Sequence, residues 1–233
     1  MRQAQESEII RLSMHVRQGQ PIATFDCQNE QVMFLHKEDL NNSVLLWADQ
    51  ILCATNRKRH ELNRQIRQAN NFSEDLQIDD KIINLHNEWE ILSNKDNPLT
   101  NGIIGKIKNI NIQEWDYPAY LRGRSFSIPV FTADISGDEE DEVFTQLTFD
   151  YNEIKTGTTS LTGREEYQLD KLGKAFPLHA NYGYAITTWK SQGSEWNKIL
   201  LFPERGWPRE PEDRKKFMYT SITRAIDKLV III

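Results

Sequence analysis

Short apolar runs near both ends of the chain constrain its fold more than any other feature. They cover residues 51–54, 199–202 and 229–233, and no charged residue interrupts them. A run of this length without polar alternation is typical of a strand buried on both faces, as in a parallel sheet covered by helices. The sequence therefore predicts an α/β domain with a parallel sheet, to which both ends of the chain contribute strands.

Helical patterns accompany these strands. Residues 6–18 carry an apolar stripe at helical spacing. A basic helix is predicted to start at Asn56, directly after the first apolar run, with Leu62 and Ile66 on its buried side. A further helix is expected near 212–225, between the last two apolar runs. The pattern of strand, turn and helix is the building block of a parallel α/β sheet.

The middle of the chain has a different sequence pattern. Short β-rich segments alternate there with turn signals such as Asn101-Gly102. This pattern predicts an all-β unit at 78–176, inserted into an α/β domain that is formed by 1–77 and 177–233. The β-rich segments are 81–85, 103–110, 127–133 and 143–149.

Composition restricts the functional classes. The net charge of −6 argues against a uniformly basic nucleic-acid coat, although residues 57–67 hold five basic side chains and one acidic one. Such a run is also typical of a solvated helix face, so that both interpretations stay open. The two cysteines and the histidines show no zinc spacing, so no metal site is predicted.

The sequence gives no indication of a membrane segment. Its apolar runs are much shorter than the ~20 residues that a helix needs to cross a bilayer. The N-terminus also lacks the basic and then apolar pattern of a secretion signal. A cytoplasmic location without a membrane partner is therefore predicted, with both cysteines reduced.

Two segments resemble the motifs of a known family. Residues 184–196 read YAITTWKSQGSEW and resemble motif V of superfamily-one helicases, and residues 219–225 read YTSITRA and resemble motif VI. Residues 1–4, MRQA, are similar to the motif IV region, and residues 53–56, CATN, to the DNA-contacting turn of RecD-like and Dda-like members. The chain thus resembles the C-terminal motor half of a superfamily-one DNA helicase, with a UvrD-like C-terminal domain.

The resemblance implies a fold and a set of partners. The fold is a RecA-like parallel-sheet domain with an inserted SH3-like β domain, which the middle matches only by pattern at 80–83 and 101–105. The implied partners are single-stranded DNA, an N-terminal RecA-like ATPase domain, and replication or recombination proteins.

By resemblance, Arg224 is the arginine finger of an ATP site, and Arg2 is a second candidate. Transfer of the γ-phosphoryl group builds negative charge on its oxygens, which a guanidinium from a neighbouring domain stabilises once the domains close. The alternative for Arg224 is a surface arginine that complements the dipole at a helix end.

The motif V segment also implies nucleotide contacts. Glu195 is expected at the ribose or the phosphate end of ATP, with Gln192 and Gly193 in the loop beside it. Gly193 is equally compatible with a helix stop, and Glu195 with a side chain that only faces solvent.

Six residues are predicted to contact single-stranded DNA. Hydroxyl, amide and basic groups bind its phosphates, while an aromatic face stacks on a base. For Thr55 and Asn56, helix capping is an open alternative. For Trp189, the alternative is burial in the core, and many relatives carry histidine at this position. The six residues are Thr55, Asn56, Arg57, Thr187, Thr188 and Trp189.

A phosphate-binding loop is missing from the sequence, since no G-x-x-x-x-G-K-[ST] motif occurs in it. The ATP and Mg²⁺ of the parent helicase would then be held by a domain preceding Met1, and this chain alone is predicted to be inactive as an ATPase. Two rival functions stay open: a motor-less single-strand-binding or protein-docking module, and a subunit of a RecD-type nuclease-helicase complex.

Overall fold

The computed structural model describes residues 7–137, 141–204 and 206–233. It divides into two compact units, one formed by 1–72 and 184–233 and the other by 73–183. They are called here the parallel-sheet unit and the central unit. Arg2, one of the two predicted catalytic residues, lies outside the described residues.

Six α-helices and twelve strands make up the described structure. The helices are α1 (Glu8–Arg17), α2 (Asn42–Trp47), α3 (Asn56–Ala69), α4 (Tyr151–Thr156), α5 (Gly163–Lys171) and α6 (Pro211–Ile222). The strands are β1 (Val32–Leu35), β2 (Gln50–Cys53), β3 (Lys81–Asn84), β4 (Glu88–Leu92), β5 (Pro98–Leu99), β6 (Ile104–Tyr117), β7 (Phe126–Ser136), β8 (Val143–Asp150), β9 (Ala180–Tyr182), β10 (Ala185–Thr187), β11 (Trp196–Phe202) and β12 (Ala225–Ile232).

The parallel-sheet unit is built on five strands in the order β1-β12-β11-β2-β10, and every neighbouring pair is parallel. Alternate residues of each strand face opposite sides of the sheet. Ile51 and Leu200 pack with α2 and α3 on one side, and α1 and α6 pack along β12. The prediction of an α/β fold with a parallel sheet is confirmed.

Helix α3 follows β2 after a single turn, as the sequence predicts. Thr55 is its N-cap and accepts a hydrogen bond from the backbone N–H of Lys58. Leu62 and Ile66 are buried on the side that faces the sheet. Helix α3 therefore begins directly at the carboxyl end of β2.

The buried Asn63 fastens α3 to the neighbouring strand β10. Its side chain donates to the carbonyl of Ala185 over 2.9 Å and accepts from the N–H of the same residue over 2.8 Å. An amide side chain that both donates to and accepts from one backbone residue fixes the distance between two elements. This pair of hydrogen bonds, named here the clip, therefore fixes α3 against the start of β10.

The central unit is mainly antiparallel. Its five-stranded sheet has the order β8-β7-β6-β3-β9, and β4 with β5 forms a separate two-stranded ribbon. Phe131, Phe144 and Phe149 are the largest side chains of its core. Two helices, α4 and α5, also belong to the unit and were not predicted by the β-rich pattern.

The limits of the central unit follow from strand pairing. Strand β9 is hydrogen-bonded to β3, which brings residues 180–182 into the antiparallel sheet. The compact unit runs from 73 to 183, beside the sequence-based interval of 78–176. The SH3-like character of the insertion and its exact limits stay predictions.

A buried histidine joins both helices of the central unit to the segment before β9. The Nδ1 atom of His179 lies 2.9 Å from a carboxylate oxygen of Glu153 on α4. Its Nε2 atom lies 3.3 Å from a carboxylate oxygen of Glu166 on α5. The ring of His86 packs against the imidazole at 4.3 Å between centroids.

Candidate functional site

Three neighbouring strands of the parallel sheet end side by side. Thr187 at the end of β10 is level with Cys53 at the end of β2, and Cys53 is level with Phe202 at the end of β11. Because parallel strands end at one edge, the residues that follow them meet there, as in other open α/β sheets. This carboxyl edge brings together the segments that begin at Thr55, at Thr188 and at Glu204.

Thr55 is tied to a residue that sequence reasoning missed. Its backbone N–H and its hydroxyl both donate to the carboxylate of Glu204, each over 2.7 Å. The capping alternative for Thr55 is confirmed, since its oxygen accepts the N–H of Lys58 at 3.2 Å. The next two residues, Asn56 and Arg57, are exposed in the first turn of α3.

The predicted DNA-contacting residues of the motif V segment are placed in different environments. Thr187 is buried at the end of β10. Thr188 is fully buried, and its hydroxyl lies 2.8 Å from that of Ser221 on α6. The structure therefore brings Thr187 to the carboxyl edge but places the Thr188 side chain inside the unit.

Trp189 is the exposed aromatic residue of this segment. Its side chain is 45% exposed, and its ring lies 6.3 Å from that of the buried Phe217 on α6. One part of the indole therefore rests on the core while the rest faces solvent. Burial, with the nearby charge of Arg59, lowers the pKa of the adjacent Lys190.

Arg224 lies at the amino ends of β11 and β12. Its backbone carbonyl accepts the N–H of Trp196 at 2.9 Å. Its guanidinium donates to the carbonyls of Ser194 at 3.1 Å and Thr220 at 3.2 Å, and to the hydroxyl of Thr223 at 3.3 Å. These contacts fix the arginine beside the loop formed by 192–195, which is named here the amino-edge loop.

The three predicted nucleotide residues lie on this loop. Gln192 and Glu195 are exposed. Gly193 has a φ of +91°, a conformation that L-residues rarely adopt, and a side chain there would meet nothing within 4 Å. The glycine is therefore needed for the backbone turn rather than for space.

A single segment connects the two edges. The chain leaves the carboxyl edge at Thr187, forms a 3₁₀ helix at Thr188–Ser191 beside α6, and reaches the amino-edge loop before β11. The same α6 ends at Ile222, two residues before Arg224. The motif V and motif VI segments are thus packed together through α6.

No metal-binding cluster of three or more histidine, cysteine, aspartate or glutamate residues occurs in the described part of the chain. Within the same residues, no helix combines the length and the apolar character that crossing a membrane requires. At the amino edge, the exposed side chains of Gln192 and Glu195 lie on the same loop that the guanidinium of Arg224 binds.

Comparison with known proteins gives a family match and a shared fold. Residues 182–232 match the family model of the UvrD-like helicase C-terminal domain. The fold is similar to that of the Pif1 helicase from Candida albicans, with a TM-score of 0.52 and 14% identity over 100% of this chain and 54% of that one. No curated protein matches the chain in sequence.

Two further Pif1 structures resemble the chain. One, of two coordinating Pif1 helicases on forked double-stranded DNA, has a TM-score of 0.50 and 12% identity over 97% of this chain and 47% of that one. The other, Pif1 from Bacteroides with ADP-AlF3 and single-stranded DNA, has a TM-score of 0.48 and 11% identity over 97% of this chain and 49% of that one.

The chain spans about half the length of the Pif1 structures that it matches. Over that half, it shares their mixed α/β fold with a central parallel sheet. The family match covers the motif V and motif VI segments, on which the sequence-based prediction rests. The predicted resemblance to a UvrD-like helicase C-terminal domain is therefore confirmed over residues 182–232, and the chain as a whole shares the fold of the Pif1 structures.

Proposed function

We propose that this chain is the C-terminal part of an ATP-dependent DNA helicase. Its amino edge supplies Arg224 to an ATP site, and its carboxyl edge holds single-stranded DNA. The phosphate-binding loop and the ligands of Mg²⁺ come from a RecA-like domain outside these 233 residues, since the sequence has no such loop. The match of residues 182–232 to a helicase family supports this function.

The fixed position of Arg224 is the observation that carries the proposal. Three hydrogen bonds to described residues hold its guanidinium against the amino-edge loop and α6. A guanidinium has five N–H groups, so these bonds leave others to meet an anion. An arginine that is oriented in advance stabilises the charge on a transferring phosphoryl group without reorganisation.

The nucleotide contacts belong to the same loop. Gln192 and Glu195 are exposed on either side of Gly193, next to the carbonyl of Ser194 that Arg224 binds. We assign the two polar side chains to the ribose and phosphate groups of ATP. Closure of the partner domain would then bring the γ-phosphate to Arg224 and exclude water from it.

At the carboxyl edge, the single strand meets three kinds of groups. Asn56 and Arg57 are exposed at the start of α3, where backbone N–H groups favour a phosphate. Thr187 lies at the adjacent strand end, and Trp189 offers an exposed ring for a base. Thr188 acts from inside the unit, where its bond to Ser221 positions the segment.

Binding of a fluorescein-labelled oligothymidylate tests the DNA half of the proposal. Trp189→Ala is expected to weaken binding by about fivefold or more, because a base stack contributes on the order of 1–3 kcal/mol. Trp89, which is 65% exposed in the central unit, provides the matched control Trp89→Ala, for which no change is expected. Equal losses in both variants would contradict the assignment of Trp189.

The ATP half requires the partner domain. We expect no ATP turnover by the chain alone, and turnover stimulated by single-stranded DNA in the complete helicase. DNA binding without any such turnover in the complete protein would favour the motor-less binding module instead.

A further inference from the structure

Glu204 occupies both hydrogen-bond donors of Thr55. One carboxylate oxygen accepts the backbone N–H and the other accepts the hydroxyl, each at 2.7 Å. The hydroxyl has only one proton, and its oxygen already accepts the N–H of Lys58. Thr55 therefore has no donor left for a second anion while Glu204 stays in place.

Strand register explains why these two residues meet. Cys53 and Phe202 are level in the parallel pair of β2 and β11. Thr55 and Glu204 each follow two residues later, at the same edge. The N-terminus of α3 attracts a negative charge, so the carboxylate is stabilised there in the same way as a phosphate would be.

A carboxylate and a phosphodiester need the same donors. Both are anionic acceptors without a proton to donate at neutral pH. Asn56 and Arg57 are exposed directly beside the occupied Thr55, so a strand that reaches them also meets the charge of Glu204. Among the described residues, no lysine or arginine forms an ion pair with Glu204, and the nearby ammonium of Lys58 pairs with Glu61 instead, at 2.9 Å.

We propose that Glu204 is a built-in competitor for the phosphate of single-stranded DNA at the start of α3. The strand engages Thr55 only when the carboxylate leaves, and the returning carboxylate displaces the strand. Glu204 thereby weakens the grip of this subsite and favours release of the phosphate. The inference rests on the proposed function, because it takes the carboxyl edge as the DNA-binding surface.

Affinity for the labelled oligothymidylate tests the competition in the full chain. Glu204→Gln keeps the size of the side chain and removes its charge, so binding is expected to tighten by about fivefold, as for the loss of one like charge at close range. In a Thr55→Val background, which lacks the contested hydroxyl, Glu204→Gln is expected to give a clearly smaller gain.

Glu212→Gln is the matched control, because it removes the same charge from an exposed position on α6. Glu212→Gln is expected to change the affinity for the oligothymidylate by no more than about twofold, because salt screens the effect of an exposed surface charge. Thermal melting of each variant checks that it is folded, and Glu204→Ala replaces the glutamine variant if that protein does not fold.

Each outcome decides between the claims. Tighter binding by Glu204→Gln but not by Glu212→Gln supports the competitor. Unchanged or weaker binding by Glu204→Gln, with binding by the wild type, overturns the competitor and leaves the proposed function standing. Absence of binding by the wild type and all variants overturns both.

Discussion

At the residue scale, the position of Arg224 at the amino edge predicts that its substitution affects ATP turnover more than DNA binding. The guanidinium is bound to carbonyls of the amino-edge loop and of α6, at a distance along the strands from Thr55 and Trp189. From the proposed role of Arg224 as an arginine finger, Arg224→Ala in the complete protein is expected to lower ATP turnover by about 10³-fold. The affinity for single-stranded DNA should change little, since Arg224 lies away from the carboxyl edge.

Steady-state ATP turnover at saturating DNA, together with oligonucleotide anisotropy, measures the two effects separately. Arg224→Lys is the informative companion variant, because it keeps the charge and loses the planar fork. Full ATP turnover by Arg224→Ala would show that this arginine is structural.

Single residues also show what sequence could not predict. The register between β2 and β11 brings Glu204 to Thr55. The register between two strands that are distant in sequence cannot be predicted from either segment alone. Thr188 was grouped with the DNA contacts because it sits in the motif, yet α6 covers it. Exposure depends on which element packs on the segment, and the motif does not contain that information.

At the element scale, Asn63 fastens α3 to β10, and its substitution should lower the stability of the parallel-sheet unit. Asn63→Ala leaves the buried N–H and carbonyl of Ala185 without this partner, and each unsatisfied group costs about 1–3 kcal/mol. The free energy of unfolding is therefore expected to fall by about 2–6 kcal/mol.

Urea denaturation followed by circular dichroism measures this loss. Arg64→Ala on the exposed side of α3 is the control, and it is expected to change the free energy of unfolding by no more than about 0.5 kcal/mol. Equal losses in the two variants would mean that the clip contributes nothing beyond general helix stability.

Elements with a clear period were predicted well, and short ones were not. Helix α3 and strands β2 and β11 stand out in the sequence because their apolar residues are contiguous or regularly spaced. Strands β9 and β10 have three residues each, too few for any period to show. Helix α5 had a usable signal, the capping box of Thr162 and Glu165, which the β-rich surroundings obscured.

At the scale of the whole molecule, His179 should make stability depend on pH. The carboxylate of Glu153, which accepts a hydrogen bond from the imidazole, raises the pKa of His179 above its usual range, while burial opposes the shift and the charges of Glu166 and Asp150 add to it. Burial raises the pKa of Glu166 and also that of Glu88, which faces His179 from β4. The neighbouring His86 ring packs on the imidazole.

The sign follows from these directions. A histidine whose folded pKa is raised contributes its full stability below its unfolded pKa and loses it as the pH rises through the folded value. The raised pKa values of Glu166 and Glu88 also make the free energy of unfolding fall as the pH rises. We therefore expect the free energy of unfolding to fall as the pH increases from about 6 to about 8.

Chemical denaturation at several pH values measures this dependence. His179→Gln keeps a hydrogen-bonding side chain without the titration, so its stability should vary less with pH over that interval. A wild type whose stability stays constant across the interval, or rises, would contradict the raised pKa of His179.

The order of the parallel sheet has a consequence for synthesis on the ribosome. Strand β2 lies between β10 and β11, and β1 lies at the edge of the sheet beside β12. The partners of β1 and β2 are therefore synthesised only after the whole central unit. The central unit, residues 73–183, is made before these partners and has a hydrophobic core of its own. The nascent chain therefore carries apolar strands without their sheet partners until β10, β11 and β12 have been made, and chaperones that hold such strands should bind it during that interval.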